Sequence, residues 1–228
     1  DYLTIIEKKD KYSKFISSTL KKNKINSFLI EEETYKTVIK TRYLSENKNI
    51  FRTNEFLNFN ISKSLKEKIL NKFKFLVKNK DLLIISDFNY GMLPKEIVLK
   101  MIKISKKLNK KIIIVGDSQT SSQNGDISKF KNIDLITPTE IEAKKYISDS
   151  SLGLAAISKQ ILRKLNLKYL ITTLNKDGVL IDTKRKTDKI GSLASIIQDT
   201  AGAGDAFLAY TSLTLATGAN IWDSSFIG

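Results

Sequence analysis

The sequence predicts an α/β fold in which helices cover both faces of a mostly parallel sheet, with a small β lid beside it. After residue 62, helical and strand patterns alternate, and the strand candidates are continuous aliphatic runs. A parallel sheet needs such runs because helices bury both of its faces. Four segments have this character: 82–85, 112–115, 133–136 and 169–173.

Helices are predicted between these runs, because apolar residues recur there at helical spacing. A first helix covers 65–76, a second begins near Pro94, and a third covers 154–165. Proline suits the first turn of a helix, where its missing N–H costs nothing. A turn at 177–178 leads to a strand at 179–181, which we expect to pair with the preceding strand.

The first sixty residues have a different pattern. From 35 to 44, β-branched and charged residues alternate, as they do in a half-exposed strand. A partner strand at 51–53 would follow a turn at 46–49. We therefore expect residues 35–56 to form lid strands beside the main sheet, within a single domain that spans 1–228.

The composition excludes several kinds of chemistry. The 228 residues include no Cys and no His, so thiolate metal sites, disulfides and histidine bases are excluded. The sequence also lacks an apolar stretch of membrane-spanning length and a signal-peptide pattern, which predicts a cytoplasmic protein with no membrane partner.

The formal net charge of +15 raises the hypothesis of a nucleic-acid-binding domain. However, the lysines occur in pairs along the whole chain, with no basic stripe interleaved with aromatic residues. Lysines on the solvated faces of helices explain this distribution better than a nucleic-acid-binding surface does. Nucleic acid is therefore not an expected partner.

Polar side chains directly follow the predicted strands. Asp87, Asp117, Thr139 and Asn175 each stand at the carboxyl end of one. Each alone is explained as a helix cap or a turn residue. Together they predict a ligand crevice, because the carboxyl ends of parallel strands open on one edge of the sheet.

A glycine-rich turn precedes the last apolar helix, at Gly202-Ala203-Gly204. Its amides and the positive helix terminus would form a phosphate cradle. Asp205 would repel a phosphate at rest, but as a general base it would accept the proton of an attacking hydroxyl. A P-loop is excluded because no Lys-Ser/Thr follows, and a dinucleotide fingerprint because Phe207 stands where Gly or Ala is needed.

The segment 199–207, Asp-Thr-Ala-Gly-Ala-Gly-Asp-Ala-Phe, resembles the second signature of the ribokinase/PfkB carbohydrate kinases. The resemblance implies a ribokinase-like fold, ATP as phosphate donor and Thr200 as a nucleotide contact. It implies too that the domain 1–228 is incomplete at both ends, because members of the family begin with an earlier strand and continue past the last helix. It also implies that the backbone of Gly202, Ala203 and Gly204 is the anion hole and that Asp205 is the catalytic base.

Two further segments extend the resemblance. Thr139-Glu140-Ile141-Glu142 is similar to the family's Asn-x-x-Glu element, which implies that Glu142 organises Mg²⁺; Thr139 replaces the usual asparagine. The segment 172–178 resembles the nucleotide-contacting Thr-Leu-Gly-x-x-Gly turn. This implies that Thr173, Asn175 and Gly178 contact the nucleotide, with Asn175 in place of a glycine. A monovalent cation such as K⁺ is a further cofactor candidate.

Within the family, the chain is most similar to heptose-phosphate kinases and their relatives. The segment 37–42 resembles their lid strands, and 86–91 their Ser-Asp-Tyr-x-Lys-Gly turn, although Tyr90 replaces the lysine. Gly-Asp-Ser-Gln at 116–119 replaces the usual Asp-Pro-Lys. The resemblance implies that the acceptor sugar or sugar phosphate contacts three residues: Asp87, Lys40 and Arg42.

The predicted function is ATP-dependent phosphorylation of a hydroxyl on a sugar or sugar phosphate. The alternative is a non-catalytic nucleotide- or sugar-binding module derived from such a kinase, which the changes at Thr139, Asn175 and Tyr90 would suit. Two partner predictions accompany it: a homodimer through the lid strands, because exposed strands seek partners, and a nucleotidyltransferase domain fused in the parent protein.

Overall fold

The computed structural model describes residues 1–45, 48–119, 125–149, 151–193 and 202–228. Their strands are β1 (Tyr2–Glu7), β2 (Ser27–Glu32), β3 (Ile39–Ser45), β4 (Lys48–Glu55), β5 (Leu82–Asp87), β6 (Ile113–Ser118), β7 (Leu135–Ile136), β8 (Tyr169–Thr173), β9 (Val179–Thr183) and β10 (Thr187–Ile190). Their helices are α1 (Lys11–Lys22), α2 (Lys63–Leu76), α3 (Lys95–Leu108), α4 (Glu140–Ile147), α5 (Leu154–Lys164), α6 (Ala203–Ala216) and α7 (Ile221–Ile227).

The central sheet has the strand order β10-β9-β8-β7-β6-β5. Strands β5 to β8 run parallel, whereas β9 and β10 pair antiparallel as a meander at one side. The predicted mostly parallel sheet is confirmed, and so is the antiparallel strand after the turn at 177–178. The strand predicted at 133–136 is shorter, because only Leu135 and Ile136 pair with both neighbours.

Two hydrophobic cores lie on opposite faces of this sheet. On one face, α2, α3 and α5 pack their apolar stripes through Ile69, Ile97 and Ile157. On the other face, α6 and α7 contribute Leu208 and Ile221. Neighbouring positions on a strand therefore enter different cores, which explains why the strand runs are aliphatic without alternation.

The first 34 residues form a β1–α1–β2 unit with parallel strands, which the sequence pattern did not reveal. Its burial is shallow: α1 has no fully buried residue, and the fully buried apolar residues of β1 and β2 are Ile5, Ile6 and Ile30. A helix and two strands that are only partly buried leave a weak periodic signal, because their outward positions carry charged residues.

Strands β3 and β4 form the antiparallel hairpin that the alternating pattern predicted, separate from the central sheet. Its base lies against the loop after β5. The ammonium group of Lys40 is 4.7 Å from the ring centre of Phe88 and 5.4 Å from that of Tyr90. Further out, the rings of Tyr43 and Phe51 stack on each other while both stay exposed. Whether these strands form a dimer stays a prediction.

No helix in the described ranges combines the length and the apolar character that crossing a membrane requires.

Candidate active site

The glycine-rich turn forms the amino terminus of α6. Gly202 precedes the helix with φ 84°, in the left-handed region that favours glycine. The first hydrogen bond of the helix runs from the Ala206 amide to the Gly202 carbonyl, so the amides of Ala203, Gly204 and Asp205 have no acceptor within the helix. A Cβ built on Gly202 or Gly204 would meet no described atom within 4 Å. Among the described residues, nothing therefore fills the space beside these two glycines; the phosphate cradle itself stays a prediction.

Asp205 is the third residue of α6, and its side chain is exposed. The positive end of the helix favours a carboxylate at this position. Among the described residues, Gln119 from just beyond β6 contacts this side chain: its Nε2 donates to Asp205 Oδ1 at 3.3 Å. The structure thus brings the loop after β6 against the start of α6.

Asp117 lies in β6 on the face that α6 covers, since Val115 two residues before it belongs to that core. Burial, and after it the negative charges of Glu142, Asp205 and Asp87, raise the pKa of its carboxyl from 3.8 to about 7. Sequence reasoning located Asp117 at this edge but gave it no function. Its position directly after an aliphatic run was the available signal.

Thr139 and Glu142 begin α4 with reciprocal hydrogen bonds. The Thr139 amide donates to Glu142 Oε2 at 2.8 Å, and the Glu142 amide donates to Thr139 Oγ1 at 3.3 Å. This capping box holds a buried carboxylate at the carboxyl edge of β7. The threonine that replaces asparagine therefore still orients the glutamate.

The turn after β8 contains Thr173, Asn175 and Gly178. Asn175 has φ 53°, the left-handed conformation that asparagine tolerates better than most residues, so its substitution for glycine preserves the turn. Gly178 has φ 87°, and a Cβ there would lie 2.0 Å from the carbonyl oxygen of Ile190. These three residues lie next to the start of α4, because the Thr173 amide donates to the Pro138 carbonyl at 2.9 Å.

Asp87 is buried and forms an ion pair with the buried ammonium group of Lys129. Its other carboxylate oxygen accepts from the Asn89 amide at 2.9 Å. Lys129 also donates to Asn89 Oδ1 and to the Leu93 carbonyl, both at 3.2 Å. These contacts hold the loop after β5; a direct contact between Asp87 and a sugar stays a prediction.

Sequence reasoning missed Lys129. No signal in the sequence marks it, because one lysine among so many has no distinguishing pattern and only the fold buries it.

The two other predicted substrate residues come from β3. Lys40 reaches the loop after β5 through the rings of Phe88 and Tyr90. Arg42 is exposed on the hairpin, opposite Arg52. Only Lys40 is therefore brought to this edge by a contact within the described part of the chain. The remaining candidate, Thr200, lies outside the described residues, as do the rest of 194–201.

A cleft of about 660 Å³ lies at the opposite edge of the sheet, away from these residues. Asp134, Tyr169 and Thr183 line it, together with four cations: Lys106, Lys168, Lys184 and Arg185. None of the proposed catalytic groups borders it. We therefore assign the candidate site to the open carboxyl edge, where the chemistry-bearing side chains converge, rather than to this cavity.

The sequence profile of the pfkB family carbohydrate kinases matches residues 9–228. This chain belongs to the PfkB family. The bifunctional protein HldE of Helicobacter pylori (strain Shi470) is 27% identical over 204 residues, which are 88% of this chain and 43% of that protein. The chain thus spans less than half the length of this curated relative.

Solved structures confirm the predicted ribokinase-like fold. Phosphofructokinase-2 from Escherichia coli in complex with potassium superposes with a TM-score of 0.78 at 15% identity, covering 98% of this chain and 71% of that one. Ribokinase from Giardia lamblia gives 0.78 at 18% identity, covering 98% and 73%. At these identities the likeness concerns the fold alone.

Proposed function

We propose that this protein transfers the γ-phosphoryl group of ATP to a hydroxyl of a sugar or sugar phosphate. One observation carries the proposal: the exposed carboxylate of Asp205 lies in the same first helix turn as the amides of Ala203 and Gly204, which have no acceptor within the helix. A base and an anion cradle side by side are what an attacking hydroxyl and a transferring phosphoryl group need.

In the proposed reaction, Asp205 accepts the proton of the acceptor hydroxyl as its oxygen attacks the γ-phosphorus. The bond between that phosphorus and the bridging oxygen breaks, and ADP leaves with the electron pair. The amides of the Gly202–Gly204 turn bind the oxygens of the phosphoryl group, whose charge the amino terminus of α6 also stabilises. No covalent intermediate on the protein is needed.

Mg²⁺ suits the carboxylates at this edge. Glu142 and Asp117 offer hard oxygen ligands. The raised pKa of Asp117 indicates that other negative charges lie close to it, and a bound cation would reduce the repulsion between them. The described residues contain no group of three acidic side chains close enough to bind a metal alone. This fits Mg²⁺, which keeps several waters and takes other ligands from phosphates. When bound, it would neutralise charge on the β- and γ-phosphates.

The remaining cofactor roles are proposals on the same basis. The turn after β8 lies beside α4, which supports Thr173, Asn175 and Gly178 as nucleotide contacts; Thr200 is retained from the motif alone. Potassium is proposed as a second cation, because the related fold of Escherichia coli phosphofructokinase-2 was solved with it.

For the acceptor, we propose a phosphorylated sugar of the heptose-phosphate type, contacted by Lys40 and Arg42 from the lid hairpin. The ammonium of Lys40 over Phe88 and Tyr90 places a cation beside the loop that Asp87 holds. The relatives are named as bifunctional proteins, which supports a nucleotidyltransferase domain as the second part of the parent protein.

The test is ADP release from Mg·ATP in the presence of a panel of sugars and sugar phosphates. We expect turnover with one acceptor and a loss of about 10²–10⁴-fold in Asp205→Asn, the usual contribution of a general base. The control is Asp81→Asn, which neutralises an exposed aspartate before β5, at the opposite edge of the sheet.

Undiminished turnover in Asp205→Asn would refute the assignment of the base. If no acceptor in the panel is phosphorylated although ATP still binds, the kinase proposal fails and the non-catalytic binding module takes its place. Equal losses in both variants would indicate a general effect of charge rather than proton transfer.

A further inference from the structure

The backbone of Gln119 is held on both sides by the loop after β5. Its amide donates to the Asp87 carbonyl at 3.0 Å, and its carbonyl accepts from Asn89 Nδ2 at 2.6 Å. Asn89 Nδ2 is also 3.1 Å from Ser118 Oγ. Gln119 therefore leaves β6 with its main chain fixed, although it lies in a loop.

The fixing loop is itself anchored in the protein interior. Asn89 has φ 60°, and its amide donates to the carboxylate of Asp87. Lys129, 5% exposed, binds both Asp87 and Asn89. Removing one partner of a buried ion pair leaves an uncompensated buried charge, so this anchor resists rearrangement.

The side chain of Gln119 extends from this anchored backbone to Asp205, where Nε2 donates to Oδ1. An exposed aspartate samples several rotamers, and a donor on one oxygen restricts them. The other carboxylate oxygen, Oδ2, then stays available to accept a proton. An amide donor orients the carboxylate without the full charge by which an ammonium group would reduce its basicity.

We infer that Gln119 is a positioning residue for Asp205: it orients the carboxylate toward the acceptor hydroxyl through its side-chain amide. The inference rests on the proposed function, because it deepens the assignment of Asp205 as the base. It also gives a function to the segment 116–119, where the sequence departs from the Asp-Pro-Lys of the similar heptose-phosphate kinases.

The test is a double-mutant cycle on turnover with Gln119→Ala, Asp205→Asn and the double variant. We expect Gln119→Ala to lower kcat about tenfold, which corresponds to about 1.4 kcal/mol, with KM for ATP and acceptor nearly unchanged. In the Asp205→Asn background the same change should cost nothing further, because the group it orients is gone.

A second pair of variants separates hydrogen bonding from mere bulk. Gln119→Met keeps the length of the side chain without a donor, so it should lose as much activity as Gln119→Ala. Gln160→Ala, on the outer part of α5, removes the same side chain away from the site and should keep full turnover. Thermal unfolding of each variant reports whether the fold is intact.

Equal losses from Gln119→Ala in both backgrounds, or a raised KM with unchanged kcat, would overturn the inference and leave the proposed function standing. If Asp205→Asn itself keeps full turnover, or if no acceptor is phosphorylated, the proposed function fails and the inference fails with it.

Discussion

The two edges of the central sheet differ in the sign of their charge. At the carboxyl edge, Asp117, Glu142 and Asp205 are close enough for the pKa of Asp117 to be raised by the other two. At the amino edge, the cleft is lined by Lys106, Lys168, Lys184 and Arg185, with Asp134 as its one acidic residue among the described lining groups.

This difference shows that the net charge of +15 does not describe the reactive part of the molecule. Lysines are spread over the outer helices and line the cleft at the amino edge, whereas three carboxylates lie close together at the candidate site and Lys129 there is paired with Asp87. A carboxylate cluster requires a cation to become stable beside an anionic nucleotide, and hard oxygen ligands favour Mg²⁺. The comparison thus favours metal-nucleotide chemistry over binding of nucleic acid.

The largest effect that the contrast between the two edges predicts is that of replacing Glu142. In Glu142→Gln the amide oxygen can still accept from the Thr139 amide, so α4 should remain capped. Removing the charge should reduce Mg²⁺-dependent turnover by about 10–100-fold, the usual cost of disturbing the ligands around a metal. The measurement is turnover against Mg²⁺ concentration.

The matched control is Glu140→Gln, in the same first turn of α4 but partly exposed and paired with Lys144. It should keep the Mg²⁺ dependence of the unmodified protein. If both variants respond alike, the effect belongs to the helix terminus and not to a metal site.

A smaller effect is expected from Asp117. Its folded pKa of about 7 exceeds its ordinary value of 3.8, so the native state holds a proton that the unfolded chain releases. The free energy of unfolding should therefore fall as pH rises from about 4 to about 7 and then level off. Asp117→Asn should remove this slope and be the more stable of the two proteins at about pH 8.

Urea unfolding across this pH range checks the prediction, with Asp81→Asn as the exposed control. A slope that persists in Asp117→Asn would assign the proton to another group. Identical pH dependence in Asp117→Asn and the unmodified protein would mean that the pKa of Asp117 is not raised at all.

The smallest effect is expected at the amino edge. Replacing Lys184 and Arg185 by alanine removes two cations from the cleft, far from the groups proposed to act on the nucleotide. Turnover and KM should change by less than about twofold, since surface substitutions rarely disturb a distant site. A loss as large as that of Glu142→Gln would show that the site extends through the sheet.

The sequence by itself determined much of this molecule. Continuous aliphatic runs predicted β5 to β8, because a strand that helices bury on both faces carries apolar residues at successive positions. The segment 199–207 indicated the family. Its glycines and Asp205 predicted a phosphate site and a general base, and both remain proposals. The β1–α1–β2 unit was missed, since its shallow burial allows charged residues along its outer face.

Only the tertiary structure decided which side chains meet. It buried Lys129 against Asp87, brought Gln119 from β6 to Asp205 on α6, and raised the pKa of Asp117 through burial and neighbouring carboxylates. These contacts join residues 42 and 86 positions apart in the chain. Sequence periodicity reports local burial within one element, whereas contacts between distant elements arise only when strands and helices pack.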